Sequence, residues 1–191
     1  MKKIFLISFL MIFTVSFSQK KFVKKVQTNA DEINIYTQGL DNVILENSNS
    51  NIIEVFLYTE SYNDQFVYIE DFNNEINVKF DFEGTETREV IFRKFITKRL
   101  QRANAVIKVP KEKKVFVFGE NVDVESKSIN NSLAIYIENG IVKLNQIKAN
   151  AILKLYAGNV YASANKTNVT LNSNIGRIKI DDVFYINGHS L

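Results

Sequence analysis

Cysteine is missing from all 191 residues, which removes disulfides, thiolate metal ligands and lipid attachment at cysteine together. Tryptophan is missing as well, and histidine occurs once, at His189. Without a second imidazole there is no histidine-activated serine beyond what that one residue can serve, and no zinc site built from several nitrogen or sulfur ligands. The expectation is that the chain binds no metal and no cofactor. No strong charge of one sign is present either: 24 lysines and arginines face 21 aspartates and glutamates. A nucleic-acid partner, which needs a concentrated basic face, is therefore not expected.

What is present begins with a leader. Lys2 and Lys3 precede an apolar run from Ile4 to Phe13, and Ser16-Phe17-Ser18 supplies small residues before Gln19. That order of basic end, apolar run and small-residue site is a secretory signal peptide, here residues 1–18. The apolar run is about half the 20 residues of a membrane-spanning helix, so no span is expected after cleavage. The predicted location is the periplasm, cell surface or exterior. Residues 19–30, polar and lysine-rich, read as a connector, and 31–191 as one domain.

Within that domain the alternation of apolar and polar residues has period two almost throughout. Ile33 and Ile35, Val43 and Leu45, then Ile53, Val55 and Leu57 each alternate with polar neighbours, and Ile76, Val78, Phe80 and Phe82 form the clearest run. Strands with one face in a core and the other in water have this pattern. Residues 84–102 interrupt it with a cluster of lysines and arginines. The spacing of Phe92, Phe95, Ile96 and Leu100 there suits either a short amphipathic helix or a long loop.

The most informative pattern lies further on. Gly140, Gly158 and Gly176 are evenly spaced, and their flanks keep phase: Ile135 becomes Leu153 and Leu171, and Val142 becomes Val160 and Ile178. The numbering advances by 18 at each step. A short unit of this kind cannot bury its own apolar side chains, so copies must stack. The period predicts an all-β, right-handed parallel β-helix, a β-solenoid with irregular N-terminal strands and its most regular coils over 105–186. Val115, Val117, Val122 and Val124 map onto Ile135, Ile137, Val142 and Leu144 with a shift of 20, which requires two extra positions near Ser126 to Ser132.

The stretch Val106-Ile107-Lys108-Val109-Pro110, followed by Glu138-Asn139-Gly140-Ile141-Val142-Lys143-Leu144 and its echoes, resembles the putative-adhesin families of bacterial exported proteins, including autotransporter-adhesin head domains. The resemblance implies an exported β-solenoid of the bacterial envelope. It fixes no function, because fold and function are separable.

Outward positions on the predicted coils supply the candidate binding residues. Tyr136, Lys154 and Asn172 share one column, Tyr156 stands in the next, and Lys143, Tyr161 and Lys179 form a third. Flat tyrosine rings beside cations suit sugar rings or an anionic glycan, so Tyr136, Lys143, Lys154, Tyr156, Tyr161 and Lys179 are the expected contacts. The expected function is a non-enzymatic structural or adhesive envelope protein. Its expected partners are envelope polysaccharide or another surface protein, and the open coil end is expected either to be partly covered by a folded tail or to self-associate weakly. Two alternatives stay open. Carboxylates such as Glu70-Asp71, Asp181-Asp182 and the Asp81, Glu83, Glu86 group could serve a polysaccharide lyase or hydrolase on a β-helix, and an accessory protein sensing envelope state is the third option.

Overall fold

The computed structural model describes residues 20–59, 65–82, 87–92, 95–100, 103–164, 168–181 and 185–189. The predicted leader falls outside them, as do Asp182, Glu83 and Glu86. The described residues form strands without a helix. The chain runs through β1 (Lys20–Gln27), β2 (Glu32–Tyr36), β3 (Asn42–Asn47), β4 (Ile52–Thr59), β5 (Gln65–Phe72), β6 (Glu75–Phe82), β7 (Thr87–Phe92) and β8 (Phe95–Leu100). It continues with β9 (Ala103–Val109), β10 (Lys114–Asn121), β11 (Asp123–Lys127), β12 (Ser132–Ile147), β13 (Ala151–Ala164), β14 (Asn168–Ile175), β15 (Ile178–Asp181) and β16 (Tyr185–His189).

The repeats stack in parallel. Ile135 pairs with Leu153 and Leu153 with Leu171, while Val142 pairs with Val160 and Val160 with Ile178. β12 and β13 each pass through the glycine without a break, so the first half of each strand joins one ladder and the second half another. The glycines permit this in two ways. Gly140, Gly158 and Gly176 have φ of 150°, 147° and 144°, a region that side chains resist. A Cβ on Gly158 would also fall on the carbonyl oxygen of Gly140, and one on Gly176 on that of Gly158. Successive coils touch through bare backbone at this corner.

The same register extends one coil earlier, contrary to the expected shift of 20. Val115 pairs with Leu133, Val117 with Ile135 and Val124 with Val142, at the same interval as the later coils. No insertion exists. The apparent break comes from Ser126, which takes the inward position opposite Leu144 and Leu45. Its hydroxyl is buried and has no hydrogen-bond partner.

The expectation of a right-handed parallel β-helix is overturned by the rest of the pairing. Among the described residues, 14 strands form one mixed sheet whose main path is β1-β4-β9-β3-β11-β12-β10-β2-β6-β5. β1 with β4, β4 with β9, and β5 with β6 are antiparallel. The sheet curls into a nearly closed, barrel-like form. Its two path ends approach each other, and Lys24 Nζ on β1 donates to the Val67 carbonyl on β5 at 2.9 Å. The physical reason is that β2 and β3 do not continue into the coil that follows them in sequence. They pair with β10 and β11, far along the chain, and the intervening segment adds antiparallel strands to both ladders.

Among the described residues the buried side chains form one apolar core. Ile33, Ile35, Leu45, Ile53, Leu57, Ile76, Ile107, Leu133, Ile135 and Leu144 are fully buried, each contributing roughly 1.5–3 kcal/mol. Two further differences from expectation follow from the pairing. Residues 19–30 are not a plain connector, because 20–27 form the edge strand β1. The described part of 84–102 is neither a helix nor a long loop. Within it β7 and β8 pair as an antiparallel hairpin, which satisfies backbone groups that a loop would leave to water. The tail adds β16 in parallel to β14, which is the folded tail of the two expected outcomes.

Candidate functional site

Alternation along β10, β12 and β13 sends every second side chain away from the core, and the constant register lines those side chains into rows. One row runs Tyr36 on β2, Phe118 on β10, Tyr136 on β12, Lys154 on β13 and Asn172 on β14. Its first three members are stacked rings. Tyr36 and Phe118 have centroids 5.4 Å apart, Phe118 and Tyr136 5.5 Å, with ring planes within 21° and 10° of parallel. Such cross-strand aromatic pairs stabilise sheet register. On the β13 side, Lys154 Nζ stands 5.4 Å from the Tyr136 centroid, a cation–π contact.

This packing changes what Tyr136 can offer. Phe118 lies on its β10 side and Lys154 on its β13 side, so its ring faces are occupied and its edge and hydroxyl remain. Tyr156, in the adjoining row, differs: it is 59% exposed. Tyr136, Lys154 and Tyr156 together with Glu138, Asn172 and Gly119 line a groove of about 390 Å³. An exposed ring, a cation, a carboxylate and an amide thus line one groove.

The third predicted column is not part of this groove. Lys143 pairs with Tyr161 and Tyr161 with Lys179, but these positions follow the glycine corner and belong to the other ladder. Tyr161 is 42% exposed, and the Lys179 side chain lies outside the described residues. Lys143 instead borders a larger, polar cleft of about 570 Å³ with Asp41, Asp123 and Glu125. Two of those carboxylates already serve the backbone: Asp41 accepts from the Ala103 N–H at 2.9 Å and Asp123 from the Ile141 N–H at 2.8 Å. Among the described residues no group of three His, Asp or Glu side chains is placed to hold a metal ion.

A third cleft, of about 490 Å³, meets the far end of the aromatic row at Tyr36 and includes Glu70, Lys79 and Asp81. Glu70, one of the carboxylates considered for sugar cleavage, is held by Lys79 at 2.7 Å. The sequence carries no local signal that sets Phe118 beside Tyr136, or Tyr36 beside Phe118. The shift of 20 had set Phe118 opposite Glu138, whereas the actual register sets it opposite Tyr136. Tyr36 carries no local signal, because its partner strand is remote in sequence.

No protein-family model matches the chain, and no curated protein does. Solved structures give distant likenesses. A putative cell adhesion protein from Clostridium sporogenes ATCC 15579 aligns over 91% of this chain and 100% of its own at 11% identity, with a TM-score of 0.47. Putative adhesins from Bacteroides fragilis NCTC 9343 and Parabacteroides distasonis ATCC 8503 align over 90% of this chain and 98% and 95% of theirs. Their identities are 10% and 13%, and their TM-scores 0.32 and 0.28. Structures named as putative adhesins are thus among those this chain is similar to, as the sequence resemblance implied.

Proposed function

We propose that this chain is an exported, non-enzymatic surface protein that holds a sugar unit of a glycan in the groove beside Tyr156. The observation that carries the reading is the exposed Tyr156 ring, set beside Lys154, Glu138 and Asn172 in one groove. Aromatic rings present a flat apolar face at low entropy cost, and neighbouring polar groups fix the orientation of hydroxyls. The leader supports export, and the pairing of Glu70 with Lys79 favours binding over cleavage.

The test is a glycan-array screen of the secreted chain, followed by titration of the best ligand. Replacing Tyr156 with Ala should weaken that ligand at least about tenfold, since a buried aromatic contact commonly exceeds 1 kcal/mol at a binding hot spot. Replacing Lys143 with Ala, on the other ladder, should leave it unchanged. Equal affinity in the Tyr156 variant would remove the groove from the account, and turnover of any polysaccharide would favour the lyase or hydrolase alternative.

A further inference from the structure

The antiparallel wing formed by β1, β4 and β9 carries a second arrangement that the groove does not use. Phe56, at the centre of β4, has Val23 of β1 on one side and Val106 of β9 on the other. The row on one flank is Lys21, Tyr58 and Asn104, and the row on the other is Lys25, Glu54 and Lys108. Lys25 is satisfied by Glu54 at 3.0 Å. Lys21 and Lys108 are not.

These two lysines come from opposite rows and converge on the same ring. Lys21 Nζ lies 4.8 Å from the Phe56 centroid and Lys108 Nζ 5.5 Å from it, so they stand no farther apart than those two distances added. Among the described residues neither ammonium has a carboxylate partner. Like charges brought together repel, and the half-buried Phe56 ring, with the Tyr58 centroid 5.7 Å from Lys21 Nζ, offers only a modest attraction in return. An anionic group placed between them would turn that repulsion into two charge-assisted contacts.

We propose that this wing binds an acidic polysaccharide, with its carboxylates on Lys21 and Lys108 and its sugar rings against Val23 and Val106 on either side of Phe56. The observations favour a polymer over an anionic lipid surface. Phe56 and Val106 are half-buried in the sheet, and Val23 is 48% exposed, so little apolar surface projects for insertion. Lipid recognition also draws on clusters of about four to eight basic residues. Here β1, β4 and β9 turn out Lys21, Lys25 and Lys108, one of them already paired.

The inference is independent of the groove beside Tyr156, which lies on the other ladder. The experiment measures binding of the secreted chain to polygalacturonate oligomers, to the same oligomers fully methyl-esterified, and to phosphatidylglycerol vesicles. Wild type should bind the acid form, more weakly as salt rises, and the neutral ester poorly. The double variant Lys21→Gln, Lys108→Gln should weaken binding about tenfold with the thermal midpoint unchanged. The pair Lys21→Arg, Lys108→Arg should retain binding, and Lys148→Gln, at an exposed lysine outside the wing, should bind polygalacturonate as wild type does. No binding by wild type, equal binding of acid and ester, or equal affinity in the glutamine variant would overturn the proposal. Lysine-dependent binding to vesicles without binding to polygalacturonate would overturn it in favour of a lipid surface.

Discussion

The coils of β12 to β15 and the seam where β2 and β3 meet β10 and β11 use the same parallel ladder but are specified differently. In the coils, each residue pairs with its counterpart one repeat away, and the corner is set by glycines whose missing side chains let backbone meet backbone. Across the seam, partners are separated by most of half the chain and no glycine stack helps. Polar side chains take over. Lys114 Nζ meets Glu32 at 2.7 Å and Lys127 meets Glu46 at 3.3 Å. The buried Asn131 donates to the carbonyls of Pro110 and Lys113 at 2.8 and 2.9 Å and accepts from Asn47 at 2.6 Å. A local repeat can rely on shape; a distant pairing needs recognisable partners.

The largest effect should come from breaking the coil core. Leu153 is fully buried, and Leu153→Asp should cost about 4 kcal/mol or more by placing an unpaired charge there. Lys154→Asp, one residue away and exposed, should shift the midpoint by little. Equal melts would mean that the strand phase is wrong. Next is the corner. Gly158→Ala should cost about 3 kcal/mol, because it adds a strained φ and a collision with the Gly140 carbonyl; chemical denaturation measures it.

For the seam, Asn131→Ala should cost about 2–3 kcal/mol, since Asn47 loses its acceptor across the seam and the Pro110 and Lys113 carbonyls lose their donor. A loss as small as that of a surface substitution would show that the seam does not depend on this residue. Ser126→Ala sharpens the comparison from the other side. It removes a buried hydroxyl with no partner, so stability should stay level or rise by up to roughly 1 kcal/mol. The smallest effect is electrostatic. Hydrogen bonds from Asn74 and then Lys113, with the charge of Lys113, hold the Asp31 carboxyl below its ordinary value. A depressed carboxylate contributes stability above its unfolded pKa and loses it as pH falls through the folded one. Asp31→Asn should therefore slightly reduce the drop in thermal midpoint on acidification below the ordinary carboxylate range, and an unchanged acid profile would remove Asp31 from the seam.

What could be read from the chain follows the same division. The strands, their inward residues and the coil register were legible because the period-two pattern and the glycine repeat are both local. Tyr136, Lys154 and Asn172 could be aligned as a row for that reason. The mixed sheet was not legible. Nothing in Ile33 or Ile35 says that Val115 and Val117 are their neighbours, since many alternating apolar pairs would fit equally well. A single inward serine, Ser126, was enough to shift the apparent register and to hide Phe118 from Tyr136. The hairpin of β7 and β8 was obscured by apolar spacing that suits a helix as well as a strand.

The long interval across the seam also has a consequence in time. Closing that loop rather than one coil costs only about 1.3 kcal/mol more in chain entropy, which is minor at equilibrium. During synthesis the interval is a delay. At about 5–20 residues per second, β2 and β3 emerge on the order of ten seconds before β10 and β11 exist. Until then their apolar side chains have no parallel partner on the β10 side. β2 and β3 wait through that interval without their β10 and β11 partners, whereas each later coil meets its template within about one to four seconds of appearing.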